Sequence, residues 1–135
     1  MSSRFTIRDS FPAAHRIRID TAGTLEPVHV HHWRVEACFE APTDAAAASV
    51  SARKLIAGWI RRHRGKSLND VPPFDRVNPT AEEVARELFG VLARELPDLQ
   101  LRYVEIGEAA GFSATYRPAR GTSQCVELSM RRLAT

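Results

Sequence analysis

The sequence predicts an α+β domain, an antiparallel sheet with two helices laid on one face, and three observations predict it. Apolar and polar residues alternate near both ends of the chain, two amphipathic stretches between them repeat at helical spacing, and segments rich in proline and glycine separate the elements. The resulting order, β-β-α-α-β-β, favours paired strands covered on one side over an alternating βαβ design. With 135 residues, 44% of them hydrophobic and 26% charged, the chain has the size and mixture of a single domain over residues 1–135 with one core.

The first strand is read at Arg4–Ser10, where Phe5 and Ile7 alternate with polar neighbours, and the second at Val28–Glu40, a run rich in β-branched and aromatic residues. Pro12, Gly23 and Pro27 suit a long loop between them, and 42–48 reads as a small-residue linker. From Val50 to His63, Ala52, Ile56, Trp59 and Ile60 recur on one helical face, with Arg53, Lys54, Arg61 and Arg62 on the other, and Gly65 ends the run. Pro72, Pro73 and Pro79 forbid regular structure over 68–79. Thr80 and Glu83 then form a capping box for a second helix, whose buried stripe is Val84, Leu88, Val91, Leu92 and Leu96. Two further strands follow at Leu99–Glu108 and Gln124–Arg131, with Ser113–Arg117 a shorter extended piece between them.

The net charge is +3, and the seventeen arginines and two lysines are scattered along the chain. Aromatic residues do not interleave with a basic stripe, so nothing resembles a stacking platform for nucleic acid. No apolar run approaches the ~20 residues a bilayer crossing needs, and Met1–Phe5 lacks a charged-then-apolar leader. The expected address is the cytoplasm, where Cys38 and Cys125 read as free thiols that pack.

Histidine carries the chemical information. Three of the five fall within four positions, His29, His31 and His32, and on a strand the residues two apart share a face. His29 and His31 therefore point together, while Val30 and His32 point away. A catalytic zinc takes three protein ligands and keeps one position open, so a third imidazole must come from elsewhere. His15 follows the first strand directly and reaches the same face if that strand pairs with the second; His63, at a helix end, competes. Two histidines so spaced also suit a half-exposed pair bonded to water or backbone, and the third favours metal. Glu26, three residues before His29, hangs over such a site as a general base if the loop folds back, and is otherwise a solvated loop carboxylate. Glu108 stands where the alternation of Val104 and Ile106 expects an apolar residue. A buried carboxylate must be paired, so this one either meets an arginine or awaits a ligand with two adjacent N–H donors, such as the edge of a guanidine-like heterocycle.

At these residues the chain resembles the 6-pyruvoyl-tetrahydropterin synthase and 6-carboxytetrahydropterin synthase family, the pterin enzymes of the T-fold. Phe11-Pro12-Ala13-Ala14-His15-Arg16 resembles the segment that supplies the first zinc histidine, and His29-Val30-His31-His32-Trp33 the segment that supplies the other two. Leu68-Asn69-Asp70 and Asn78-Pro79-Thr80-Ala81-Glu82 resemble the loop into the second helix. Val104 to Glu108 resembles the strand ending in the glutamate that anchors the pterin ring. The resemblance covers most of the chain. It implies a four-stranded antiparallel sheet with two helices on one face, assembled as homotrimers whose sheets close into a β-barrel, often paired as homohexamers. It also implies bound Zn2+ held by His15, His29 and His31, and 7,8-dihydroneopterin triphosphate as substrate, from which a zinc-dependent lyase eliminates triphosphate.

The departures from the family pattern bear on the reaction. The cysteine that usually serves as base is replaced by Leu25, while Glu26-Pro27-Val28-His29-Val30-His31 matches the Glu-x-x-His-x-His spacing of a subgroup. In that subgroup a glutamate base leaves 6-hydroxymethyl-dihydropterin. The family's Asp-His pair corresponds here to Arg64 and Gly65, with His63 the stand-in after a shift of the loop, and Val30 replaces a glycine. The alternative function implied by these losses is a zinc and pterin or purine binder on the same scaffold.

Overall fold

A computed structural model describes residues 3–118 and the backbone of residues 126–132. The chain runs β1 (Ser3–His15), β2 (His29–Ala41), α1 (Ala45–His63), a 3₁₀ turn at Leu68–Asp70, α2 (Ala81–Glu95), β3 (Gln100–Ala109), β4 (Phe112–Pro118) and β5 (Val126–Arg132). All strands pair antiparallel with their neighbours in sequence, in the order β1-β2-β3-β4-β5. The expected α+β architecture is what the chain adopts. The short extended piece pairs as a full strand, β4, so the sheet holds five strands.

One face of the sheet is apolar across β1 to β4. Ile7 lies opposite Ala37, Phe11 opposite Trp33, Val35 opposite Ile106, and Ile106 opposite Ala114, all of them buried. Both helices set their own stripes into this face: Ala52, Ile56, Trp59 and Ile60 from α1, and Val84, Ala85, Leu88 and Leu92 from α2. Removing that much apolar surface from water is what holds the layers together. The opposite face is polar, with Arg4 on Glu40 and Arg8 on Glu36, each at 2.7 Å. Such exposed pairs add little stability.

Three boundaries differ from the sequence reading for identifiable reasons. β1 runs past Pro12 to His15, because β1 is an edge strand, where a missing N–H costs no ladder bond. The expected 42–48 linker instead starts α1: Asp44 caps it by accepting from Ala46 N at 2.9 Å, and the alanines, the best helix formers, make the first turn. At α2 only half of the capping box forms. Thr80 Oγ1 accepts from Glu83 N at 3.2 Å, but the Thr80 amide donates to Asn78 O and the Glu83 carboxylate turns to Arg86. Of the last predicted strand, Gln124 and Cys125 lie outside the described residues, as do the side chains of Val126, Leu128 and Met130.

Candidate metal and pterin site

The end of the apolar face near the β1–β2 loop carries the histidines. β1 and β2 pair in a register that sets His15 opposite His29 and Ala13 opposite His31, so all three rings emerge on the helix side of the sheet. Ring centroids lie 4.8 Å apart for His15 and His31, 6.1 Å for His29 and His31, and 6.3 Å for His15 and His29. Trp33, fully buried, forms the floor: its ring meets His15 and His31 edge-on, and its indole N–H donates to Ala13 O at 3.1 Å.

His15 is buried, and its Nδ1 lies 2.8 Å from Pro79 O. A carbonyl can only accept, so Nδ1 carries the proton and Nε2 keeps its lone pair, the state a metal ligand requires. Burial, with the neighbouring His15 ring, lowers the His31 pKa below the ordinary histidine value, so the His31 ring favours its neutral form. Glu108 joins them. It stands where β3 shifts register between Gly107 and Ala109, an irregularity of the kind that re-aims side chains beside active sites. His15, His31 and Glu108 each offer a ligand atom, and these atoms all lie within 4.8 Å of one another. Two neutral imidazole nitrogens with a carboxylate fit zinc chemistry.

Glu26 folds back over the site, as its spacing suggested, with Oε2 3.5 Å from His29 Nε2. His29 is the most open of the three imidazoles; it meets this carboxylate and is not among the residues whose ligand atoms converge within 4.8 Å. His63 sits elsewhere in the packing. It closes α1, buried, with Nδ1 donating to Trp59 O at 2.7 Å and its ring stacked on Trp59 at 4.0 Å. Its Nε2 is buried without a hydrogen-bond partner, and burial lowers its pKa. His32 points to the polar face, as the alternation required, and meets Ser10 Oγ at 2.9 Å. It helps line a groove of about 410 Å3 with Arg8, Arg34, Glu36 and Glu105; acids match the arginines there, so charge does not mark it as an anion site.

Sequence reasoning missed two residues that build the site's rim. In the sequence Asn69 and Asn78 stand only within a loop resembling the family's, yet each side-chain amide makes two hydrogen bonds to the chain beyond His15. No local signal marks that role, since it arises from segments about fifty to sixty residues apart meeting in the fold.

The family model described as 6-pyruvoyl tetrahydropterin synthase matches residues 4–119. A solved 6-pyruvoyl tetrahydropterin synthase of Caenorhabditis elegans is similar in fold, with a TM-score of 0.73 at 21% identity over 88% of this chain and 97% of that one. A Plasmodium vivax 6-pyruvoyltetrahydropterin synthase, solved as a catalytic-residue mutant with cysteine in place of glutamate, has a TM-score of 0.55 at 14% identity over 98% and 99%. No curated protein matches. Among the described residues, no helix is long and apolar enough to cross a membrane.

Proposed function

The chain belongs to the 6-pyruvoyl tetrahydropterin synthase family of pterin-metabolism enzymes, and from that premise we propose that it is a zinc-dependent lyase acting on 7,8-dihydroneopterin triphosphate, of the glutamate-base type that leaves 6-hydroxymethyl-dihydropterin. The observation that carries this reading is the convergence of His15, His31 and Glu108 within 4.8 Å, with His29 and Glu26 at the rim. His15, His29 and His31 would hold the zinc, which supplies Lewis-acid polarisation of the substrate's side-chain oxygens.

The chain's own groups do the rest. Glu26, on the loop beside His29, would take the proton of the side-chain C2′ hydroxyl as the C1′–C2′ bond breaks, so that the two-carbon aldehyde departs with the triphosphate, and would return a proton to C1′ of the pterin. Glu108 accepts the paired N–H donors of the pterin ring, a charge-assisted contact that fixes its orientation. Trp33 and the Pro79 carbonyl hold the His15 ring with Nδ1 on the carbonyl, which leaves Nε2 for the metal. The glutamate reading has a counterpart in the Plasmodium vivax enzyme, whose altered catalytic residue is a glutamate. Assembly as a homotrimer or homohexamer belongs to the same proposal, supported by Val28 and Val30, 55% and 74% exposed beside His29, apolar side chains that a subunit contact would cover.

A second reading is favoured by one observation: Arg64 and Gly65 stand at the family's Asp-His positions, and His63, the stand-in, is buried against Trp59. The chain would then bind zinc and a pterin without turning it over. Incubation of the purified protein with 7,8-dihydroneopterin triphosphate decides between them. Formation of 6-hydroxymethyl-dihydropterin, abolished by Glu26→Gln, is expected of the lyase. Tight pterin binding with no product, unchanged by Glu26→Gln, would overturn it.

A further inference from the structure

We infer that Asn69 and Asn78 are positioning residues that set the place of Glu26, acting as two artificial rungs of β-sheet; this rests on the reading of Glu26 as base. Beyond His15 the chain continues extended, and its two edges are held by different partners. On one edge, Ala14 N donates to Lys66 O at 2.9 Å, and the inter-helix loop then lacks a strand to continue the pairing. Two side-chain amides take over. Asn69 accepts from Arg16 N at 2.9 Å and donates to Arg16 O at 2.8 Å. Asn78 accepts from Arg18 N at 2.9 Å and donates to Arg18 O at 3.0 Å.

Residues 16 and 18 face one edge of an extended chain, so residues 17 and 19 face the other. That other edge carries the return arm of the loop: Glu26 N donates to Ile17 O at 2.9 Å, Ile19 N donates to Thr24 O at 2.8 Å, and Arg18 bridges to Leu25. The Arg16 guanidinium closes the arm by donating through Nε to Glu26 O at 3.2 Å. The backbone of Glu26 is thus fixed to a segment that is itself fixed by the two asparagines. Only a carboxamide offers one acceptor and two donors at that reach; aspartate has the same shape and cannot donate when ionised. The loop that carries both asparagines also carries the Pro79 carbonyl that orients His15. One loop therefore places a ligand ring and a base together.

The test uses the full chain with Asn78→Asp, and Asn69→Asp as the second variant should the first fail to fold. Amide hydrogen exchange at Ile19 and Glu26 is expected to quicken at least about tenfold while the amides of α1 and α2 are unchanged. Unchanged exchange over 17–26, or an equal rise in both helices, would overturn the clamp, and neither result depends on turnover. In turnover, kcat is expected to fall about 10- to 100-fold with KM nearly constant, as a displacement of about 1 Å at a reacting group can do. In a Glu26→Gln background the asparagine change is expected to cost nothing further; a fully additive loss would overturn action through Glu26. If Glu26→Gln alone leaves turnover intact, the base reading fails while the exchange result still decides the clamp.

Discussion

His15 and Pro79, 64 positions apart in sequence, meet through a 2.8 Å hydrogen bond from the imidazole Nδ1 to the main-chain oxygen. The bond occupies Nδ1, which leaves the ring's other nitrogen as the one available to a metal. Replacing this ring removes a donor that no neighbour can supply. His15→Ala is expected to lower zinc affinity by at least about 100-fold, the upper range seen for groups that hold a metal's ligands in place. Competition with a chromophoric chelator measures it, and unchanged affinity would contradict the assignment.

Glu108 offers an oxygen within 4.8 Å of ligand atoms of His15 and His31 yet is assigned to the pterin ring. Glu108→Gln keeps the shape and removes the charge that attracts paired N–H donors. The expected outcome is one zinc per chain retained and pterin affinity reduced by about 1.5–3 kcal/mol, the worth of a hydrogen bond to a charged group. Calorimetric titration with a dihydropterin, alongside metal analysis, reads both. Loss of the metal would instead make Glu108 a ligand.

His63 is held neutral by burial, its pKa lowered from the ordinary value of 6.5. On unfolding it regains that value, so below about pH 6.5 the unfolded chain binds more protons at this group, and its contribution to stability falls as the pH falls. His63→Phe keeps a ring on Trp59 and removes the titration. Urea unfolding at a series of pH values is expected to show the variant gaining on the parent between about pH 8 and pH 5. A constant difference would place the titration elsewhere.

Trp33 supports two of the histidines from below. Trp33→Ala is expected to cost about 3–5 kcal/mol, the usual penalty for emptying an aromatic site in a core. Trp33→Phe keeps most of the packing and leaves Ala13 O without its donor, so a loss of about 1–3 kcal/mol is expected. Denaturant midpoints check both, and a Phe variant as damaged as the Ala variant would contradict the packing account.

The parts legible in the sequence were those set by alternation and spacing. His29 and His31 share a face because side chains alternate along a strand, and Glu108 broke the alternation of Val104 and Ile106 where a polar group was wanted. The pairing of β1 with β2 then brought in His15 without further assumption. What depended on partners distant in sequence was not legible. The extension of β1 through Pro12 required knowing that it is an edge strand. The fate of the Glu83 side chain turned on competition from Arg86, and the burial of His63 on the stacking surface of Trp59. The asparagine clamps exist only because the loop over 68–79 folds against residues 16–18.

The most direct test of the metal centre is an anomalous difference map recorded at the zinc edge from crystals of protein purified without chelators. A single strong peak is predicted within about 2.0–2.1 Å of imidazole nitrogens of His15, His29 and His31. A map with no peak between those rings, or with its only zinc on the polar face beside His32, would contradict the account.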